Sequence, residues 1–152
     1  MWVQHFSKGT IKMNKYYLEP TQEAGTKLFS KQLKGEIYML NLLRFKDTAN
    51  YAGFPLLAPL EPISGKQAFD TYIKYTTPFL KDSGGDIVFM GTCSDFFIGP
   101  SDEKWDFVML IKQQSLQSFL AFASNPAYIK ILGHREAAIV DSRLLPIENY
   151  NI

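Results

Sequence analysis

The sequence predicts an α+β domain in which a short N-terminal helix is followed by elements in the order β-α-β-β-α-β. The first indication is a strand at residues 36–45 that is apolar on both alternating faces, as expected in the middle of a sheet. The second is a long helix that follows this strand and begins with a capping signature. The third is a pair of strand-like segments with the pattern of an antiparallel hairpin, placed before a second helical region and a last strand.

The beginning of the chain shows no sustained hydrophobic period, and we expect residues 1–15 to form a loose extension. A single domain is then predicted over residues 16–152. Its first element is a short, weakly amphipathic helix from Thr21 to Leu33. This helix has few apolar positions, so we expect it to pack at the periphery.

Residues 47–63 contain three prolines and a glycine, which predicts a long surface loop after the first strand. The second helix is predicted from Gly65 to about Lys81. Ser64 and Gln67 have the spacing of a capping box, and apolar residues then recur at helical intervals.

The hairpin is predicted from two segments rich in β-branched and aromatic residues, Asp86–Ile98 and Trp105–Lys112. Gly91 is a candidate β-bulge in the first of them. The intervening residues 99–102 have the composition of a turn.

The last helical region is predicted in two pieces, because Ser115 and Asn125 are both favourable N-cap residues. The second piece extends to about Ala137. A last strand from Ala138 to Leu145 is closed by Pro146. The complete order is the split βαβ arrangement of ferredoxin-like folds, a two-layer sandwich with an extra N-terminal helix.

Composition limits the classes of function. The chain has 152 residues, of which 46% are hydrophobic and 20% charged, and this is typical of a globular protein. The single cysteine, Cys93, excludes an intramolecular disulfide and favours a cytoplasmic location. The net charge of +1 and the absence of a long apolar stretch argue against nucleic-acid and membrane partners.

A two-layer domain leaves one sheet face without helices, and here that face is apolar. The strand at 36–45 is apolar on both sides, while Val108 and Leu110 face opposite to Phe107, Met109 and Ile111. Something must cover this second face, and the simplest cover is the same sheet of a second copy. We therefore expect an obligate two-fold homodimer.

An ordered set of residues along the chain resembles a known family. The set comprises Tyr38 to Phe45, Tyr72, Gly84, Gly85, Gly91, Trp105, Asp106, Asn125 to Tyr128, Arg135 and Asp141 to Leu144. It resembles the domain-of-unknown-function 1330 family of the dimeric α+β barrel superfamily, over about residues 16–148. The resemblance implies a ferredoxin-like subunit whose sheet pairs with that of its partner to enclose a barrel. It implies no settled reaction, since the superfamily includes cofactor-independent monooxygenases, haem-degrading enzymes, isomerases and simple ligand-binding proteins.

Two residues are candidate catalytic groups. Asn41 is an amide in an otherwise apolar strand, where it either bonds to neighbouring backbone or points into a pocket. His134 is the only histidine of the predicted domain, and its side chain suits either proton transfer or a structural role on an apolar helix side. His5 lies in the extension, so no protein metal site is predicted.

Arg44 and Trp105 are candidate ligand-binding residues with strong structural alternatives. Arg44 leaves the strand on the face opposite to Asn41, and an ion pair with Asp106 or Asp141 is its expected role. Trp105 is expected in the core or at the dimer interface.

Three further candidates lie on the helices. Tyr72 and Tyr128 could line an aromatic cavity, although core packing explains them equally well. Arg135, which belongs to the resembling set, completes the group of candidate ligand-binding residues.

These observations predict a small homodimeric protein that binds an apolar or aromatic molecule between sheet and helices, near the loop at 47–63. If the protein is an enzyme, cofactor-independent monooxygenation or isomerisation is expected, with Asn41 and His134 polarising or deprotonating the substrate. The alternative is a non-enzymatic ligand-sensing or structural dimer. Haem binding or degradation is a third possibility, and otherwise no cofactor is predicted.

Overall fold

The computed structural model describes residues 16–152, in which helices cover one face of a four-stranded antiparallel sheet. The strand order is β2-β3-β1-β4, and the predicted β-α-β-β-α-β order after a first helix is confirmed. The elements are α1 (Gln22–Ser30), β1 (Ile37–Phe45), α2 (Gly65–Asp82), β2 (Asp86–Thr92), β3 (Phe107–Gln113), α3 (Leu116–Ala123), α4 (Pro126–Ile131), α5 (Gly133–Ala138) and β4 (Ile139–Glu148). The predicted extension at residues 1–15 lies outside the described part of the chain.

Strand β1 is central, as its two-sided apolar pattern predicts, because it pairs with both β3 and β4. Its odd-numbered residues face the helices, and Ile37, Met39 and Leu43 are almost fully buried there. The neighbouring strands continue this face, since Met109 and Ile111 pair with Asn41 and Met39. The helix-facing side of the sheet is therefore the floor of the core.

Helix α2 begins at the predicted capping box. The Ser64 hydroxyl accepts from the Gln67 backbone N–H, while the Gln67 side chain accepts from the Ser64 N–H. The helix buries Ala68, Phe69 and Leu80 against the sheet. Burial of a large apolar side chain such as Phe69 or Leu80 contributes roughly 1.5–3 kcal/mol to the stability of the fold. These residues therefore fix the face that α2 presents to the core.

The predicted strand Asp86–Ile98 is wrong in its second half. Strand β2 ends at Thr92, which pairs with Phe107 at the beginning of β3. One further backbone bond, from the Cys93 N–H to the Asp106 carbonyl oxygen at 2.9 Å, follows the end of the strand. The predicted bulge at Gly91 is also wrong, because the register shifts between Ile87 and Phe89. Gly91 instead lies beneath the Phe89 ring, where an added Cβ would be 3.0 Å from a ring carbon.

The end of the chain also differs from prediction. The helical region has three pieces, since the chain breaks again at Leu132 between α4 and α5. Pro146 does not close the last strand, which continues to Glu148. A proline is tolerated there because β4 is an edge strand of the sheet, with only β1 as its neighbour.

The sheet face without helices, here called the open face, is apolar as predicted. One row of side chains crosses all four strands through successive register pairs: Phe89, Leu110, Leu40 and Leu145. Its outer members are conspicuously exposed, with 58% of Phe89 and 57% of Leu145 accessible. Within residues 16–152, no helix has the length and apolar character needed to cross a membrane.

Candidate functional site

A partly enclosed cavity of about 70 Å³ lies between the sheet and helices α2 and α3. Its floor is the helix-facing side of β1, β3 and β4, and its walls are apolar side chains of the helices. The residues that line it are Met39, Asn41, Phe69, Tyr72, Ile73, Thr76, Thr77, Leu80, Ile87, Met109, Ile111, Gln113, Phe119, Phe122, Arg135 and Leu144. The cavity is thus an apolar space with a few polar groups on its wall, which is the usual composition of a small-molecule site.

Two of the polar groups have no hydrogen-bond partner within the described residues. Gln113 is 1% exposed, and neither its Oε1 nor its Nε2 is bonded. The hydroxyl of Thr76 is likewise buried and unbonded. An unsatisfied buried polar group costs roughly 1–3 kcal/mol, and buried polar groups in native proteins are nearly always paired. These side chains are therefore the strongest indication of a binding site.

The local sequence explains why these two groups meet. Gln113 ends β3 in the same alternation as Met109 and Ile111, so it must face the helices. Thr76 follows Tyr72 by one helical turn on α2, and both line the cavity.

Asn41 lies on the cavity floor, and its side chain also forms the hydrogen bond to neighbouring backbone that was the alternative to a role in a pocket. Its Nδ2 donates to the Met39 carbonyl oxygen at 3.2 Å, two residues back in the same strand. The donor is satisfied locally while the residue lines the cavity. Asn41 therefore belongs to the candidate site through its position.

Tyr72 connects the cavity to a buried hydroxyl pair. Its Oη lies 2.7 Å from that of Tyr128, whose side chain is 2% exposed and packs against the Phe122 ring. Burial, followed by interaction with the Tyr72 hydroxyl, raises the pKa of Tyr128 well above its usual value. The Tyr128 phenol is therefore neutral, and its hydroxyl supports that of Tyr72 from behind the cavity wall.

Arg135 is a buried cation on the cavity wall. Its guanidinium donates to the Leu18 carbonyl oxygen at 2.9 Å and to the Ser142 hydroxyl at 3.3 Å. These bonds attach α5 to the segment before α1 and to β4. Arg135 thus combines a structural function with a place in the candidate site.

His134 lies apart from Asn41, so the two predicted catalytic residues do not meet in the cavity. Its Nδ1 is 2.8 Å from the Tyr51 hydroxyl, and the Tyr75 ring packs on it at 5.8 Å. Burial lowers the pKa of His134 below its ordinary value of 6.5. The imidazole is therefore neutral at pH 7, and it holds the loop at 47–63 against α5.

The predicted opening of the pocket near this loop is wrong, because no residue of 47–63 lines the cavity. The loop packs on α5 instead. The Asn50 N–H donates to the Ala137 carbonyl oxygen at 2.9 Å, and Gly133 leaves room for the side chains of Phe54 and Leu57.

Arg44 and Trp105 belong to a second hollow, of about 400 Å³, at the other side of the molecule. The Arg44 guanidinium does not form the predicted ion pair; it donates twice to the Lys104 carbonyl oxygen. Trp105 is 5% exposed. The guanidinium groups of Arg44 and Arg143 lie over its ring, with their Cζ atoms 5.5 and 4.9 Å from the ring centroid. Asp141 pairs with Arg143 at 2.7 Å, so the arginine charge there is already balanced.

Of the seven predicted site residues, the structure brings Asn41, Tyr72 and Arg135 together in the cavity, with Tyr128 directly behind Tyr72. Sequence reasoning missed Gln113, because it lies in a polar run at a strand end. The signal was nevertheless present, since Gln113 continues the alternation of Met109 and Ile111.

No protein-family model matches this chain, and no curated protein matches it. Among solved structures it is similar to RPA0582, a protein of unknown function from Rhodopseudomonas palustris. The identity is 29% and the TM-score 0.79, over 90% of this chain and 99% of that chain. A methylated form of RPA0582 matches equally, with 96% of its chain covered.

More distant structures share the architecture. SnoaB, a cofactor-independent oxygenase from Streptomyces nogalater, has a TM-score of 0.50 and 11% identity, over 78% of this chain and 97% of that chain. A dabb family protein with a ferredoxin-like fold from Mesorhizobium loti has a TM-score of 0.50 and 10% identity, over 78% of this chain and all of its own. Likeness at this identity concerns the fold alone. The chain has an α+β, ferredoxin-like fold.

Proposed function

We propose that the protein binds a small, largely apolar molecule with a polar group in the cavity between the sheet and α2. The observation that carries this proposal is the pair of buried, unbonded polar side chains, Gln113 and Thr76, in a mainly apolar wall. A ligand with an apolar ring and a polar substituent would contact the apolar wall through its ring and bond to these polar side chains through its substituent. Water would bond to the polar groups but would leave the apolar wall hydrated.

The volume of the cavity sets the size of the ligand. An engineered apolar cavity of about 150 Å³ holds benzene, so the space of about 70 Å³ must enlarge to hold a single ring. The lining is suited to this, since Met39 and Met109 are flexible and adaptable side chains. Helix α3 covers the cavity with Phe119 and Phe122 and has one buried residue, Leu116, against five on α2, so moving α3 disrupts less packing than moving α2 would. We therefore propose a one-ring ligand admitted by a shift of α3.

Binding is favoured over acid–base catalysis by the chemistry of the wall. Among the described residues, no aspartate, glutamate or histidine lines the cavity, so the side chains most often used as general acids and bases do not face the space. The oxygenase activity of SnoaB belongs to a protein that shares only the architecture. The second candidate, cofactor-independent oxygenation, would rely on Tyr72 and Arg135 to stabilise negative charge on the substrate.

We also propose that the protein forms a homodimer and belongs to the domain-of-unknown-function 1330 family. The open face carries a continuous apolar row across four strands, and such a surface is far from typical of a monomer. A second copy placed on it by a two-fold axis buries both rows together. The cavity lies on the other side of the sheet, so each subunit would retain its own site.

The proposal is tested with phenol as a probe and two matched tryptophan variants. Leu144 and Leu120 are both 38% exposed, but only Leu144 lines the cavity. Titration calorimetry of phenol into the wild-type protein is expected to show saturable binding. Leu144→Trp, which fills the cavity, should weaken it at least about tenfold, whereas Leu120→Trp should leave it unchanged. Absence of binding to the wild type, or equal effects of the two variants, would contradict the proposal.

A further inference from the structure

We infer that the ligand presents a hydrogen-bond acceptor and an adjacent donor on one edge, as a lactam or primary carboxamide does, and that Gln113 binds this edge. The inference rests on the proposed function, because it places a chemical class in the same cavity. It concerns the polar part of the ligand, while the proposed function concerns its occupancy of an apolar space.

The Gln113 side chain has two polar atoms without a hydrogen-bond partner among the described residues. A carboxamide offers a donor at Nε2 and an acceptor at Oε1, and here both are buried and unbonded. A ligand with an acceptor alone, such as a ketone, would satisfy Nε2 and leave Oε1 without a partner. A polar group left unsatisfied in a dry site weakens binding, because its lost hydration is not replaced. The full requirement is met only by a ligand that both accepts and donates at this position.

The surroundings of Gln113 hold its amide group in place. A Cβ at Gly85 would lie 3.0 Å from both Nε2 and Oε1, so the amide packs directly against the Gly85 backbone. The same Cβ would lie 2.5 Å from a methyl carbon of Leu80, which packs against Gly85 as well. The amide is thus confined between Gly85 and the cavity. A planar, confined amide favours a planar partner that forms two parallel hydrogen bonds.

Helix α2 supplies further polar contacts for the same ligand. The unbonded Thr76 hydroxyl lines the cavity together with Gln113. Tyr72 lies one turn earlier, and if the enclosed Tyr128 hydroxyl donates to it, the Tyr72 proton is available to the cavity. A carbonyl oxygen has two lone pairs, so it accepts from Nε2 of Gln113 and from the unbonded Thr76 hydroxyl. The apolar remainder of the ring then contacts Met109 and Phe119.

The test compares four one-ring probes with the wild-type protein by titration calorimetry. 2-Pyridone carries an adjacent donor and acceptor, and N-methyl-2-pyridone lacks the donor. Benzene and toluene measure the effect of the added methyl group alone. We expect the affinity ratio of 2-pyridone to N-methyl-2-pyridone to exceed that of benzene to toluene by about tenfold.

The outcomes separate this inference from the proposed function. Equal ratios for the two pairs, with all probes bound, would overturn the inference and leave binding in the cavity intact. Failure of all four probes to bind would overturn the proposed function together with the inference. Gln113→Leu supplies a further readout, since it should abolish the preference for 2-pyridone while benzene still binds. Thr76→Val, which removes only a hydroxyl, should weaken binding of both pyridones and leave benzene unaffected.

Discussion

Gln113 has a buried amide that stability alone does not explain. Its side chain is only 1% exposed, packs against Gly85 and forms no hydrogen bond within residues 16–152. A leucine would fill much of the same space without the cost of desolvating two polar atoms. Local rules of this kind are most often broken at functional sites, where binding offsets the lost stability.

Gln113→Leu is therefore expected to raise the free energy of unfolding of the unliganded protein by about 2 kcal/mol, because two unsatisfied atoms are removed. Urea denaturation followed by circular dichroism measures the change. Gln114→Leu is the matched control, since Gln114 is exposed and should change stability by no more than about 0.5 kcal/mol. A clear loss of stability in Gln113→Leu would show that the amide has a partner and would remove the reason for a ligand.

His134 makes stability depend on pH in a defined direction. Burial lowers its pKa in the folded protein below the ordinary value of 6.5, so the unfolded chain binds more protons below that pH. The stability due to neutral His134 is complete above about pH 7. It is lost progressively as the pH falls through 6.5 toward the lower pKa of the folded state.

Between about pH 7.5 and 5.5, the urea midpoint of the wild type should decrease more than that of His134→Gln. The comparison removes the contribution of every other group, including His5, because both proteins share them. Tyr51→Phe deletes the hydroxyl on Nδ1 and should reduce stability by about 1 kcal/mol at pH 7.5. An identical pH dependence for wild type and His134→Gln would contradict burial of a neutral imidazole.

The beginning of α2 is where three elements meet without space for a side chain. The Gly65 N–H donates to the Lys46 carbonyl oxygen at 3.0 Å, and the Lys46 N–H donates to that of Ala138 at 2.8 Å. A Cβ on Gly65 would contact both carbonyl oxygens, the one of Ala138 at 2.5 Å. These are backbone atoms, so relief requires that β1, α2 or α5 move.

Gly65→Ala is expected to lower the free energy of unfolding by about 3 kcal/mol, at the upper end of overpacking effects. Gly53→Ala is the control, because no atom lies within 4 Å of a Cβ built there. It should change stability by no more than about 0.5 kcal/mol. Equal urea midpoints for the two variants would disprove the close approach at Gly65.

The elements that could be predicted from the sequence are those fixed by local signals. The alternation of apolar side chains predicted that both faces of β1 are covered or apolar. The side chains of Ser64, Ser115 and Asn125 cap α2, α3 and α4 as expected. The end of β2 could not be predicted, because an apolar, aromatic pattern resumes shortly beyond Thr92, at Phe96, Phe97 and Ile98. β2 ends at Thr92 because its antiparallel partner β3 begins opposite it at Phe107, and the extent of a partner strand is a property of pairing.

The candidate site was predicted less completely, for a geometric reason. His134 and Arg135 are consecutive, and neighbours on a helix point about 100° apart, so only one of them faces the cavity. The rotation of α5 about its axis determines which of the two side chains faces the cavity. This rotation is set by the break at Leu132 and by packing of the loop at 47–63 on α5. Neither of these features is visible as a sequence pattern.

At the scale of the whole molecule, the two faces of the sheet differ in what covers them. The helix-facing side carries the core and the cavity, while the open face exposes apolar side chains on every strand. We have proposed a second copy as its cover. A charge introduced into the apolar row would have to be buried without a partner in such a dimer.

Leu145→Arg and Phe89→Arg are therefore expected to shift the protein from dimer to monomer in light scattering coupled to size-exclusion chromatography. Both residues are more than half exposed in the single subunit, so neither change should prevent folding of that subunit. Leu120→Arg, on the exposed side of α3, should leave the dimer intact. A wild-type monomer, or a dimer that survives both open-face variants, would contradict the proposed pairing.

The measurement that tests the central claim most directly is methyl NMR of methionine-labelled protein during a titration with phenol. Met39 and Met109 line the cavity, whereas Met90 is 43% exposed and lies outside it. Binding in the cavity predicts saturable shifts of the Met39 and Met109 methyl signals, with that of Met90 unchanged. If both signals remain in place at about 10 mM phenol, a concentration that would fill even a millimolar site, the cavity is not a binding site for a one-ring ligand.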